Sequence, residues 1–394
     1  KQNSRILMFA PSCYPPSGAE AIVTSKLVLA MLVDAGWQVK VISQADFSHF
    51  YPLSNNKIWK PLLPAIENIE GINSKGFIAR CLPERIIARL RSLLWVFKAF
   101  RAGYAAFKKN EYDFILSRAT PQYGHLPALI LNRITKIPWF ANWSDPLPPK
   151  KAPPPYGEGS NAKISFLTQK YYDTLFKYAV WHTFPCERLM KYYWQMAPAI
   201  KLKCSVIPHI ALHNLNVNNI TDNNVFTICH TGGLALRDPS VFLEGLNSFI
   251  KENNLSEKVR MIFVGDDSQK LVTKVKEMGL DNIVVIEAAK TYEQTLAIAA
   301  ASSVLVVIEA TGEEGIYFPS KFIDFVQTGR PILAVSPIPG TLHDILSCYG
   351  GGIAADNRSP EEVCNALKIL YASWESDPLM NDYSSNNLLN LFCA

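Results

Sequence analysis

The sequence predicts an α/β protein of two domains, each a parallel sheet wound on both faces by helices. The chain has 394 residues, and a single hydrophobic core stops growing well below that length. Hydrophobic residues make up 48% of it and charged residues 19%, which is typical of a globular chain. Short apolar runs alternate with longer helical patterns in two successive series, as in βαβ units.

The first series opens with an apolar run at 5–10, a loop at 11–18 and a helical pattern at 20–35. A β-branched run at 39–43 completes a βαβ unit, which requires parallel pairing. The prolines of 146–159 forbid regular structure and predict a surface loop beside the site. The other predicted elements are strands at 114–116 and 137–141 and helices at 123–135, 163–178 and 186–196.

The second series follows a polar, asparagine-rich segment at 213–224, which we interpret as the linker. We therefore expect an N-terminal domain at 1–210, a C-terminal domain at 225–372, and a tail at 373–394 that packs back on the N-terminal domain. The predicted strands of the second domain are 226–230, 261–264, 283–286, 304–308 and 332–335.

Composition also limits the surroundings and partners of the chain. No run reaches about twenty apolar residues, and the start lacks the layout of a signal peptide, which predicts a cytoplasmic protein. The eight cysteines show no C-x-x-C pair or other metal-ligand spacing, so we expect reduced core residues. The net charge of +5 is modest for this length, and we expect no nucleic-acid partner.

Basic residues concentrate at 80–109, where they mix with leucines and aromatic residues. Two interpretations stay open for this segment. One is a helix on an anionic membrane, with the protein at the inner membrane face. The other is an ordinary domain helix whose basic side chains face water.

The first candidate site is the loop at 15–20, between the first strand and the first helix. Gly18 would let the backbone approach a ligand closely, and the helix start would offer free N–H groups to an anion. The alternative is a tight βα turn with no ligand.

The second candidate is the segment 230–238 at the corresponding joint of the second domain. Gly232 and Gly233 clear space at the carboxyl end of a strand, and Arg237 brings a permanent cation to it. This combination suits a phosphate group. The alternative is an arginine that forms a surface ion pair.

The third candidate is the segment 312–331. Pro319 and Ser320 open a predicted helix, and Lys321 adds an ammonium group to its positive end, where a leaving diphosphate would be held. Asp324 lies one turn later and could accept hydrogen bonds from ribose hydroxyls. The alternative is a capped helix with a solvated lysine.

At these residues the chain resembles retaining glycosyltransferases of the GT-B fold, especially family 4 and its relatives in bacterial surface-polysaccharide synthesis. The resemblance spans nearly the whole chain and is most specific at 319–324 with 329–333. It implies two Rossmann-like domains facing a central cleft. The domain 1–210 would bind the acceptor, and the domain 225–372 would bind the nucleotide sugar.

The resemblance also implies roles for individual residues. Arg237 and Lys321 would hold the diphosphate, and Asp324 would bind the ribose where the family usually has a glutamate. The other implied positions are Gly18, Gly232, Gly233, Glu314, Pro319 and Ser320 for the donor, His125 near the transferred sugar, and Asp145 on the acceptor side. The chain departs from the family pattern at Ala19, which replaces a second glycine, and in the gap between Glu314 and Asp324, which exceeds seven residues.

The implied activity is transfer of a hexosyl-type sugar from a nucleotide diphosphate to an acceptor hydroxyl with retention. A UDP-sugar is the favoured donor, the acceptor is a glycan or a lipid-linked glycan, and no metal or cofactor is expected, since no D-x-D pair follows a strand. The products would be polysaccharide, lipopolysaccharide or glycolipid. Two alternatives stay open: a nucleotide-sugar epimerase of the same fold, and a catalytically silent subunit that binds nucleotide sugar or a partner enzyme. A dehydrogenase would need a G-x-G-x-x-G loop after the first strand, which the sequence lacks.

Overall fold

The computed structural model describes residues 4–14, 18–44, 57–69, 83–212, 224–378 and 380–393. Parts of several segments named above fall outside them: residues 15–17 of the first candidate loop, 213–223 of the linker, 80–82 of the basic segment, and 379 and 394 of the tail. The described residues form two parallel sheets, each in its own part of the chain.

The first sheet has seven strands in the described part of the chain, in the order β3-β2-β1-β4-β5-β6-β7, and every neighbouring pair is parallel. The strands are β1 (Arg5–Phe9), β2 (Gln38–Gln44), β3 (Ile66–Ile69), β4 (Phe114–Arg118), β5 (Trp139–Asn142), β6 (Trp181–Phe184) and β7 (Cys204–Val206). Parallel neighbours need crossover connections, and helices supply most of them here. The helices are α1 (Ala19–Leu29, continued by a π-helix at Ala30–Asp34), α2 (Glu84–Lys109), α3 (Leu126–Thr135), α4 (Phe166–Tyr178) and α5 (Glu187–Met196).

The second sheet has six strands among the described residues, in the order β10-β9-β8-β11-β12-β13, and it is also parallel throughout. Its strands are β8 (Phe226–Thr231), β9 (Val259–Val264), β10 (Val284–Glu287), β11 (Val304–Ile308), β12 (Ile332–Ser336) and β13 (Gly352–Asp356). Its helices are α6 (Ser240–Asn253), α7 (Gln269–Glu277), α8 (Tyr292–Ala300), α9 (Ser320–Val326), α10 (Thr341–Tyr349), α11 (Pro360–Ser376) and α12 (Asn386–Phe392).

The cores lie on the two faces of each sheet. Every residue of β11 and β12 is buried, as expected for central parallel strands covered by helices on both faces. Helices α6 and α11 pack especially closely, since a Cβ atom at Gly245 would lie 2.7 Å from Val363. The prediction of two doubly wound α/β domains is confirmed.

The predicted strands agree with the structure to within one or two residues, and 304–308 agrees at both ends. The predicted helix at 123–135 begins as a 3₁₀ turn at Gln122–His125 before α3. No strand was predicted from the sequence for β3, β6, β7 or β13. Each is short, and Gly352 weakens the last of them as a strand pattern.

The tail at 373–394 was expected to contact the N-terminal domain. Phe392 packs against Phe318 and Phe322, and its carbonyl accepts a hydrogen bond from the backbone of Ala211, one residue past the predicted end of that domain. The Phe392 ring therefore packs against the apolar side of α9, and this contact shields that side from water.

Candidate functional site

Both sheets reverse their strand order at one point, between β1 and β4 in the first and between β8 and β11 in the second. Open α/β sheets bind ligands beyond the carboxyl ends of the strands at such a point. A cavity of about 640 Å³ lies there. Its lining comes from loops that follow β1, β4 and β5 in one domain and β8, β11 and β12 in the other, so the two switch points share one cavity.

A cationic group of residues forms at the carboxyl end of β8. Gly232 has φ +78°, a conformation that favours glycine, and a Cβ there would lie 3.6 Å from Lys321 Nζ. Arg237 Nη1 donates to the carbonyl oxygen of Gly233 at 3.2 Å, and Arg237 also lines the cavity. The structure therefore brings together four residues that the sequence placed in two separate motifs.

Lys321 is half-buried in this group. Its Nζ donates to the carbonyl oxygen of Thr231 at 2.5 Å and lies 3.1 Å from Nε2 of His230. Burial lowers the pKa of Lys321 to about 7, and repulsion from Arg237 acts in the same direction. Burial also holds the pKa of His230 well below its usual range. A bound phosphate group would place negative charge beside the two cations, Arg237 and Lys321.

Four carboxyl groups line the cavity: Glu20, Asp145, Glu309 and Glu314. Glu20 accepts a charged hydrogen bond from Arg118 Nε at 2.5 Å. Asp145 accepts one from the hydroxyl of Thr120 at 3.1 Å. Burial raises the pKa of Asp145 and, most strongly, of Glu309, whose pKa rises to about 8. The cavity thus has a cationic wall near β8 and a carboxyl-rich remainder.

Two predicted donor residues pair with cations of the other domain. Glu314 Oε1 accepts from Arg188 Nη1 at 2.5 Å, while the same guanidinium binds both carboxylate oxygens of Asp344. Asp324 lies outside the cavity lining and accepts from Lys26 Nζ at 2.5 Å and from the hydroxyl of Tyr292 at 2.8 Å. Both carboxylates therefore join the domains in this conformation.

The remaining predicted positions divide. Pro319 and Ser320 line the cavity at the start of α9. Gly18 caps α1 in an extended conformation that any residue adopts, with open space where a side chain would stand. Its glycine identity is therefore not required by the backbone seen here.

The structure does not bring His125 to the cavity. The ring is fully buried, its Nδ1 lies 2.7 Å from the hydroxyl of Ser117, and it packs against Trp143. Burial lowers the pKa of His125 to about 3. The aromatic core therefore encloses the ring in this structure, and a position of His125 beside the transferred sugar stays a prediction.

Glu309 and His209 are among the cavity residues that were not singled out from the sequence. Glu309 follows the last residue of β11, and a carboxylate directly after an all-apolar run is a signal that could have identified it. His209 lines the cavity and lies 3.1 Å through Nε2 from the carbonyl oxygen of Phe318. No comparable pattern marks His209 in the sequence.

Prolines form much of one cavity wall, as the crowding at 146–159 suggested. Pro146, Pro149, Pro153 and Pro154 all line the cavity. Backbone hydrogen bonds within the loop, such as Ala152 to Pro149 at 3.0 Å, fix its course. The loop is thus a defined wall of the cavity.

Among the described residues, no group of three or more His, Cys, Asp or Glu side chains could hold a metal ion. In the same part of the chain, no helix is both long and apolar enough to cross a membrane.

A scan against protein-family models and a search of curated proteins both found no match. Solved structures do match. The glycosyltransferase from Rickettsia africae is 14% identical with a TM-score of 0.66, over 100% of this chain and 95% of that one. HepE from Anabaena, in complex with UDP-glucose, is 15% identical with a TM-score of 0.63, over 99% and 95%. A Listeria monocytogenes protein described as a UDP-N-acetylglucosamine 2-epimerase is 12% identical with a TM-score of 0.56, over 98% and 94%. At these identities the likeness shows the fold alone: the chain has the GT-B fold, with two Rossmann-like domains facing a central cleft.

Proposed function

We propose that this protein is a retaining glycosyltransferase that takes a hexosyl-type group from a nucleotide diphosphate sugar. The observation that carries the proposal is the pair Arg237 and Lys321 beside Gly232, at the edge of a cavity that both domains line. Two half-buried cations that form no ion pair among the described residues suit a diphosphate.

Within this proposal the residues act mainly through charge. Departure of the nucleotide diphosphate leaves negative charge on its phosphate oxygens, which Arg237 and Lys321 stabilise in a partly dry cavity. The acceptor hydroxyl arrives on the same face of the sugar, and a phosphate oxygen accepts its proton. No divalent ion is needed, because the side chains supply the positive charge.

The finer features of the proposal come from the resemblance and from the neighbours. HepE was solved with UDP-glucose, which favours a UDP-sugar as donor. Asp145 lies on the N-terminal wall, where the acceptor would bind. We propose a glycan or lipid-linked acceptor, and a cytoplasmic role in polysaccharide, lipopolysaccharide or glycolipid synthesis.

The test is thermal stabilisation by UDP-, GDP-, ADP- and dTDP-sugars with EDTA present. One nucleotide class should raise the melting temperature by mass action. Lys321→Ala should abolish this shift, whereas Lys251→Ala, which removes an exposed lysine of α6, should keep it. Absence of any shift in the wild type would contradict the proposal.

An epimerase is the second candidate, favoured by the similarity to the Listeria protein. An epimerase would change the sugar of the donor with no acceptor present, and chromatography of the nucleotide sugar after incubation would detect this. A silent subunit is a third candidate, favoured because Glu314 and Asp324 already pair with Arg188 and Lys26. It would bind nucleotide sugar but convert none of it with any acceptor.

We further propose that α2 rests on an anionic membrane. Its buried face includes Trp95 and Ala99, so it is an integral domain helix. Its opposite face exposes Ile86, Leu90, Leu93 and Phe97, the last two by 62% and 57%. These four positions form one narrow stripe at helical spacing, which Arg89 and Arg101 flank. An interfacial helix needs this arrangement.

Flotation with phosphatidylglycerol vesicles tests this contact. Leu93→Gln with Phe97→Gln should reduce binding, and salt should weaken what remains. Ile369→Gln removes a similarly exposed apolar residue on α11 and should have no effect. Equal binding of the double variant and the wild type would contradict the membrane contact.

A further inference from the structure

Glu309 stands at the cavity with a backbone that is already fully engaged. Its N–H donates to the carbonyl oxygen of Val335 at 3.0 Å, and its own carbonyl accepts from Asn357 Nδ2 at 3.2 Å. The bond to Val335 continues the β11–β12 pairing beyond the last strand residue. The side chain takes no part in either bond, so the fold does not need a carboxyl group here.

The Glu309 side chain is buried and unsatisfied. The residue is 6% exposed, and its Oε2 atom has no hydrogen-bond partner within the described residues. Buried polar groups are normally hydrogen-bonded, since an unmade bond destabilises the protein. A carboxyl group kept in this state at the wall of a cavity indicates a ligand group that completes it.

The surroundings of Glu309 indicate which part of the ligand would contact it. Tyr156 and Tyr317 each interact electrostatically with both Glu309 and Asp145, so the two carboxyl groups approach the same tyrosines from different domains. Arg237 lies close enough to act on both carboxyl groups. Glu309 is therefore adjacent to the cation that would hold the diphosphate, on the carboxyl-rich side where the sugar would lie.

The protonated state of the Glu309 carboxyl group favours an uncharged hydrogen-bond partner. Because burial raises its pKa to about 8, the carboxylic acid is mostly protonated at neutral pH. In that form it both donates and accepts hydrogen bonds, as a sugar hydroxyl does.

We propose that Glu309 is a positioning residue that hydrogen-bonds a hydroxyl of the donor sugar and so fixes the sugar beside the diphosphate. The inference rests on the proposed function and deepens it, because it assigns the sugar end of the same site. It makes Glu309 a determinant of which sugar is accepted rather than of nucleotide binding.

Calorimetric titrations would test this role, with each nucleoside diphosphate (UDP, GDP, ADP, dTDP) and its glucose, galactose and N-acetylglucosamine conjugates. In the wild type, at least one conjugate should bind more tightly than its parent diphosphate. Glu309→Ala should lower the affinity for that conjugate about tenfold and leave the affinity for the diphosphate unchanged. Glu309→Gln keeps a donor and an acceptor and should retain the gain. Glu313→Ala removes an exposed carboxylate of the same loop as a control.

The outcomes separate the two proposals. If the wild type binds no diphosphate, the proposed function fails. If it binds diphosphates but no conjugate more tightly, or if Glu309→Ala keeps the gain, the role of Glu309 is overturned. Equal loss of diphosphate and conjugate affinity in Glu309→Ala would show a merely structural residue and would also overturn it.

Discussion

Two lysines lie at helix α9, one buried and one half-buried, and their surroundings differ. Lys26 reaches it from α1 of the other domain and donates to Asp324 at 2.5 Å and to Gln327 at 2.9 Å. Lys321 belongs to α9 itself and, in the described part of the chain, has no ion pair. The difference teaches that Lys26 is paired with a carboxylate in the folded protein, whereas Lys321 can take the role of anion binding that we propose for it.

The largest effect on stability is expected for Lys26→Met. It leaves Asp324 largely buried without its cation, which should cost about 3 kcal/mol. The melting temperature should fall accordingly. Adding Asp324→Asn removes the stranded charge and should recover part of the loss. A single variant as stable as the wild type would break the comparison.

Lys321→Met should have the opposite profile. Removing a half-buried cation that has no ion pair should lower the melting temperature by less than Lys26→Met does, but nucleoside diphosphate affinity should fall by about 2–3 kcal/mol. Calorimetric titration measures that loss, with Lys251→Met as the surface control. A destabilised protein that binds normally would reverse the assignment of the two lysines.

The pH dependence of diphosphate affinity sharpens the same point. The pKa of free Lys321 is about 7, lowered by burial and by Arg237, with His230, Asp266 and Asp324 nearby. A bound diphosphate favours the ammonium form and raises this pKa, so affinity is full below pH 7 and is lost as pH rises above it. Lys321→Met should show no such decline between pH 7 and about pH 9. Identical profiles would contradict the titration of Lys321.

The smallest effect is expected for Arg188→Ala. This guanidinium also joins the domains, through Asp344 and Glu314, but both carboxylates are nearly half exposed. Exposed ion pairs contribute about 0–1 kcal/mol and weaken in salt. The variant should therefore melt slightly below the wild type at low salt, and the two melting temperatures should become equal at high salt. A loss as large as that of Lys26→Met would show that exposure does not separate the two contacts.

The sequence predicted the fold well because its apolar runs are periodic and its joints contain glycine or proline. Gly232 and Arg237 were separated from Lys321 by a long stretch of chain, yet both motifs follow strands that turned out to be neighbours, β8 and β11. Their meeting follows from the rule that ligands bind at the carboxyl ends of parallel strands.

The remaining features of the site depend on packing contacts, which the periodicity of the sequence does not predict. His125 and His209 are similar in sequence terms, but Trp143 encloses the first while the second reaches the cavity. Likewise, nothing near Asp324 indicated that Lys26, 298 positions earlier, would occupy it. The Lys26–Asp324 contact is set by how the two domains meet, and the His125–Trp143 contact by packing within one domain.

The proline-rich wall of the cavity has a consequence for the thermodynamics of binding. Proline restricts the backbone before any ligand arrives, so that part of the site loses little conformational entropy on association. The conformational entropy of the segment with Pro146, Pro149, Pro153 and Pro154 is lost when the protein folds, before a ligand binds. Ligands that touch only this wall should therefore bind a nearly rigid surface, whose shape selects among them by fit rather than by induced rearrangement.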